Sequence, residues 1–287
     1  MAAQNLIKEI REGKRVPDFS ERPLSYSTLK AFDDSPLHFC YNWYTKRAKS
    51  DALIEGGAFD TMLFEPKSFD ARYSVEPDVD RRTTEGKKVY DAWEADVVAK
   101  SLDILSPSQK LKIDLWIDAV KQSTDAQALL AGMTDVQIRL NWTHRSTGLP
   151  IINVLDGKGD ECIIEAKTAV SAEKEQFAKD GYYWDYPLQA GLYSQGYVHV
   201  YGEIPKRYYY LVVEKSAPFS VSVLRATPEW LKYGRLKAER LLNLIRHCEQ
   251  EGLWAMGREF HLMYGNNNLD LPGWAKKKME EIELWME

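Results

Sequence analysis

The chain has 287 residues, 44% of them hydrophobic and 28% charged, with a formal net charge of −5. That length can bury a sizeable core in one large domain or two small ones, while the acidic balance argues against a protein whose purpose is to coat nucleic acid. No run approaches the roughly 20 apolar residues of a bilayer span, the amino terminus lacks the apolar core of a signal peptide, and three widely spaced cysteines suit neither a disulfide framework nor a zinc knuckle, so a cytoplasmic protein without a membrane partner is expected.

Residues 1–23 are polar, carry two prolines and read as an arm. LSYSTLKAFDDSPLHFCYNWY (24–44) has apolar residues at helical spacing, Ser25 and Ser27 as candidate caps, and Pro36 as an interruption. ALIEGGAFDTMLFEP (52–66) is a second helix, stopped by Pro66. Residues 76–88 form a polar loop holding Arg81, Arg82, Lys87 and Lys88, and helical patterns follow over 89–131.

The pattern changes at Val136. VQIRLNW, PIINVL and ECIIEAK are short, β-branched and separated by turn residues, as in a strand meander. Helical patterns return at SAEKEQFAKD and DYPLQAGLYSQGYVHV, followed by a hairpin from RYYYLVVEK and PFSVSVLRA. A long amphipathic helix starts at Pro228. The tail holds a Gly/Asn-rich loop and a charged terminal helix over 275–287. With no internal repeat, the simplest division is one α/β domain over 24–274 with these two appendages.

An acid two residues before a lysine occurs five times, and four of these pairs lie in loops or beside Gly and Pro, where solvated charge explains them. Glu165 and Lys167 differ because they continue the strand-like run CII. Residues two apart on a strand share a face, so the two side chains project together. Asp156 ends the preceding run, and a hairpin through GKGDE brings it across from Glu165. Two close carboxylates repel unless a cation lies between them. Mg²⁺, which takes oxygen ligands and phosphate, suits that place; a cross-strand salt bridge at a sheet edge is the alternative reading. The five histidines show no metal-ligand spacing.

These segments together resemble the PD-(D/E)xK nuclease superfamily, on the side of the exonuclease VIII (RecE) catalytic domains and their phage relatives, with lambda exonuclease more distant. The resemblance runs through LSYSTLKAFDDSP, GGAFDTMLFEPKSFDARY, the basic loop DRRTTEGK, TGLPIINVLDGKGDECIIEAKT, YWDYPLQAGLYSQGY, YYYLVVEKSAPFSVSV and LDLPGW, in that order. It implies a restriction-endonuclease-like α/β core, a central mixed sheet flanked by helices. It also implies Asp156 and Glu165 as metal ligands and Lys167 as the catalytic lysine, with Gln189 and Tyr193 bordering the site one helical turn apart.

Where the family helix carries a metal-binding histidine this chain has Asp60, an oxygen donor that retunes the preference between Mg²⁺ and Mn²⁺. Leu155 stands where the motif name has proline. The activity implied is metal-dependent exonucleolytic digestion of double-stranded DNA ends, 5′ to 3′, leaving a 3′ overhang for recombination, in a bacterial or phage-infected cell. A ring-shaped homo-oligomer and a single-strand annealing protein as partner are further implications, and Arg81, Arg82, Lys87 and Lys88 are candidate phosphate contacts. Two other readings stand beside this one: a nuclease-fold protein that binds DNA without cutting it, and an endonuclease of the same superfamily.

Overall fold

A computed structural model describes residues 2–45 and 48–263. The expected LDLPGW segment and the charged helix over 275–287 lie outside the described residues. Helix α1 (Ala2–Arg11) opens the chain. Leu6 and Ile10, four apart on one helix face, pack into the main core, and Phe19 follows them in. The expected arm is thus docked on the domain, because a few well-spaced apolar side chains anchor an otherwise polar stretch.

Ser25 caps α2 (Tyr26–Asp34), where the Thr28 hydroxyl accepts from the Ser25 amide at 2.7 Å. Pro36 interrupts the pattern as expected, since α2 ends at Asp34, and it also opens the next helix, α3 (Pro36–Tyr44), at the first-turn position a missing N–H tolerates. Helix α4 (Asp51–Phe64) stops before Pro66 as expected. Then come α5 (Phe69–Arg72), β1 (Tyr73–Val75), α6 (Thr84–Lys100), β2 (Asp103–Leu105), α7 (Pro107–Gln122) and α8 (Thr124–Ala131), with β1 and β2 paired in parallel. Helix α6 begins inside the expected loop, since Thr83 accepts from the Gly86 amide as its cap. Lys87 and Lys88 are therefore helical.

The main sheet has five strands in the order β3 (Met133–Thr143), β4 (Pro150–Gly159), β5 (Cys162–Ala169), β6 (Arg207–Glu214) and β7 (Val221–Arg225). Only the β5–β6 pair is parallel, so the sheet is mixed. Two helices, α9 (Lys174–Tyr183) and α10 (Tyr186–Tyr201), make the crossover between those two strands. Helix α11 (Pro228–Glu251) packs over α10, and α12 (Glu259–Met263) closes the described chain.

The core splits into two layers. On one face Ile163, Tyr208, Tyr210 and Val212 pack with α1–α3, α10 and α11; on the other Ala166, Leu211 and Val213 pack with α4, α7 and α8. Helices on both faces of a mixed sheet are the expected fold class. No helix among the described residues is long and apolar enough to cross a membrane. Cys40, Cys162 and Cys248 are free and buried.

Candidate active site

The β4–β5 ladder is short. It pairs Gly159 with Cys162, Lys158 with Ile163 and Gly157 with Ile164, and there it ends. The next two positions outward are Asp156 and Glu165. Their side chains take over from the missing ladder bonds: Asp156 Oδ2 accepts from the Ala166 amide at 2.9 Å, and Glu165 Oε1 accepts a long bond from the Asp156 amide at 3.5 Å. Beyond the split β4 stays with β3, and its freed edge is covered at Ile151 by Leu24, whose amide and carbonyl bond Pro150 and Ile152.

Glu165 is 1% exposed, a burial that an ionised carboxylate sustains only with partners. Its Oε2 accepts from Lys167 Nζ at 3.2 Å and from Gln189 Nε2 at 2.8 Å. The period of two along β5 thus sets Glu165 and Lys167 side by side, as the sequence pattern requires. Gln189 comes from the first turns of α10, and its side chain also interacts with the Tyr193 hydroxyl one turn on. Lys167 Nζ further sits 5.5 Å from the centre of the Tyr186 ring.

Asp60 arrives from the opposite layer. It lies on α4, whose Ala58 and Phe59 pack with Ala166 in the second core, and it interacts electrostatically with Asp156 and Lys167. An acid carried on the far layer thus interacts with the pair at the point where β4 and β5 separate. Among the described residues Asp60 has no hydrogen bond or ion pair.

The charges are strongly coupled. Burial, then the Asp156 carboxylate, hold Asp60 and Glu165 well above the ordinary carboxylate range. Burial also raises Asp156, against the opposing pull of Lys167 and the Ala166 amide. Burial alone lowers a lysine, yet Glu165, Asp156 and Asp60 together outweigh it and push Lys167 well above its usual value. Three acids share one ammonium, so the cluster is short of positive charge.

Among the described residues no three His, Cys, Asp or Glu side chains stand ready-made as a metal cage. The donor set nevertheless fits a hard divalent cation: three carboxylates, one of them without a partner, in a setting that favours added positive charge. Tyr208, fully buried beside Glu165 and Tyr193, has a hydroxyl with no hydrogen-bond partner.

Asp60, Asp156, Glu165, Lys167, Gln189 and Tyr193 therefore converge. Arg81, Arg82, Lys87 and Lys88 do not: they are exposed, Arg81 lies over the Tyr90 ring at 3.8 Å, and no hydrogen bond or ion pair among the described residues links them to the acids. Sequence reasoning missed Tyr26 and Tyr186, both of which feel the Lys167 charge. Tyr26 follows the capping Ser25 and carries no motif; Tyr186 lies three residues before Gln189, inside a stretch already singled out.

Residues 25–259 match the family described as a PDDEXK-like domain of unknown function. The chain belongs to that family. The fold recurs in a crystal structure from Eubacterium rectale, described as a "putative exonuclease", at 15% sequence identity and a TM-score of 0.56, covering 80% of this chain and 83% of that one. No curated protein sequence matches the chain. The PD-(D/E)xK core read from the sequence is thereby shown, although neither finding is specific to the exonuclease VIII branch.

Proposed function

We propose that this protein is a divalent-metal-dependent deoxyribonuclease working from the ends of double-stranded DNA. The observation that carries this reading is the meeting of Asp60, Asp156 and Glu165 around Lys167 at the split of a PD-(D/E)xK sheet. Asp60, Asp156 and Glu165 would hold Mg²⁺ or Mn²⁺, and the ion would polarise the phosphate and lower the pKa of a bound water.

The other contributions come from the chain. Lys167 is kept as an ammonium by its three acids and faces the charge that develops on the phosphate oxygens. Gln189 fixes the Glu165 carboxylate by bonding one oxygen, and Tyr193 in turn interacts with Gln189. The aromatic face of Tyr186 flanks Lys167 and narrows the orientations open to its ammonium.

From the resemblance we extend the proposal to 5′-to-3′ polarity, a 3′ overhang passed to a single-strand annealing protein, and a ring-shaped homo-oligomer around the DNA. Arg81, Arg82, Lys87 and Lys88 would act only as remote phosphate contacts.

The test is digestion of linear duplexes labelled at the 5′ or the 3′ end, beside closed circular DNA, with each metal. The expected result is loss of the 5′ label first, an intact circle, and no digestion by Lys167→Ala. Cleavage of the circle would identify an endonuclease. Equal behaviour of wild type and Lys167→Ala would leave a DNA-binding protein in place of an enzyme.

A further inference from the structure

The corner between α9 and α10 carries three consecutive large aromatics, Tyr182, Tyr183 and Trp184, that are 60%, 75% and 52% exposed. Exposed aromatic residues scattered singly need no explanation, but a contiguous set does. This set is held rigidly. The Trp184 carbonyl accepts from Tyr26 Oη at 2.6 Å and from Lys30 Nζ at 2.9 Å. Tyr183 and Trp184 meet edge to face at 5.0 Å, and Tyr182 rests against the Tyr233 ring at 5.6 Å.

The residue that follows pins the corner from below. Asp185 takes a left-handed conformation with φ of 66°, which a non-glycine residue adopts at a cost of about 1 kcal/mol or more. Lys237 bridges it to Asp33, with contacts of 2.7 Å to each acid. One residue further, the Tyr186 carbonyl accepts from Tyr210 Oη at 3.1 Å while its ring flanks Lys167. The ridge is thus anchored at four backbone or side-chain points and ends beside the lysine of the site.

We infer that Tyr182, Tyr183 and Trp184 form a stacking platform for unpaired nucleotides at the mouth of the active site. The inference rests on the nuclease reading and names a part of the substrate that reading leaves open. A paired duplex interior presents phosphates and base edges to a protein; only an unstacked strand offers base faces to aromatic rings, and it does so whatever its sequence. Lys30 lies 5.0 Å from the centre of the Trp184 ring and pairs with no carboxylate among the described residues, which sets a cation beside the rings for the strand's backbone. The occupant is therefore single-stranded DNA peeled from the duplex end.

The test is binding of a labelled 15-nucleotide oligothymidine to the full chain in EDTA, where no cleavage is needed. Beside it run an abasic strand of equal length and charge, and the variants Tyr183→Ala/Trp184→Ala and Trp184→Phe. The expected loss for the double variant is roughly 10-fold or more with oligothymidine and less than about 2-fold with the abasic strand, with Trp184→Phe close to wild type.

Equal losses on both strands, unchanged affinity, or no single-strand binding by wild type would each overturn the platform. So would a double variant that alters only the oligomeric state, because the ridge would then face a second copy of the chain. The nuclease reading is judged separately by cleavage with metal, so either idea can fail alone.

Discussion

Asp156 and Glu165 face each other at the point where β4 and β5 separate, and each carboxylate bonds a backbone amide of the opposite strand. The bonds that a continuous ladder would have formed are replaced by the acids, so the opening in the sheet and the acidic pair are one feature. It buries two carboxylates with Asp60 as a third, and the Asp156 charge adds to burial in raising the proton affinity of both Asp60 and Glu165.

A pH dependence follows. The three acids hold their protons more tightly in the folded chain than the ordinary carboxylate range of about 4. The stability they contribute when protonated is complete below that range and is lost as pH rises through their raised values. In EDTA, Asp60→Asn should therefore melt above wild type by roughly 2–4 °C per kcal/mol of relieved repulsion, with a gap that widens from pH 5 to pH 8. Mg²⁺ should stabilise wild type more at pH 8 than at pH 5, since protons and the ion compete. Thermal melts across that range check it, and a gap independent of pH would count against the coupling.

Gln189 touches no reacting atom and positions Glu165 through a 2.8 Å bond. Gln189→Ala should lower metal affinity and cleavage about 10- to 100-fold, the usual cost of losing a residue that orients a ligand. Its fold should survive, because the lost side chain is one among many on α10. Titration of the metal by calorimetry reads this directly, and Gln189→Glu should be worse, since it sets a fourth acid against Glu165.

Asp60 stands where the resembling family carries histidine. Asp60→His exchanges an oxygen donor for a nitrogen one and should shift the ratio of cleavage rates towards Mn²⁺ over Mg²⁺. Asp60→Ala should lose activity in both metals. If Asp60→Ala cleaves as wild type does, the acid has no part in the site.

The arrangement of the strand residues was legible because strand geometry is short-ranged. A period of two sets Glu165 and Lys167 on one face whatever the surroundings, and a two-residue turn at Asp160 and Glu161 brings Asp156 opposite. Asp60 was singled out only through the resemblance, since no local pattern tells that a residue on a helix of the far layer comes close enough to interact with Asp156 and Lys167. The packing of residues 2–23 was hidden for a similar reason: Ile10 and Phe19 belong to a core built mostly from residues far along the chain. For the basic residues between 81 and 88 the sequence marks an exposed, charged segment, but charge composition does not say where in space that segment lies relative to the acids.

Helices α10 and α11 cross backbone to backbone, which ties the site to a pair of glycines. A Cβ built on Gly234 would lie 1.6 Å from the Pro187 carbonyl oxygen, and one on Gly191 would lie 2.2 Å from the Arg235 nitrogen. Neither clash can be relieved by turning a side chain, so α10 itself must move. Gly234→Ala should destabilise by at least the roughly 1–3 kcal/mol of ordinary overpacking, and it should reduce cleavage as well, because Gln189 and the Asp185 corner move with the helix. Gly56 supplies the contrast. It lies inside α4, one turn before Asp60, and a Cβ there meets nothing within 4 Å. Gly56→Ala should stabilise by about 0.8–1 kcal/mol through helix propensity alone, with activity retained. Denaturant unfolding and a cleavage assay on both variants separate the cases, and a Gly234→Ala protein as stable as wild type would show that the two helices are not in close contact.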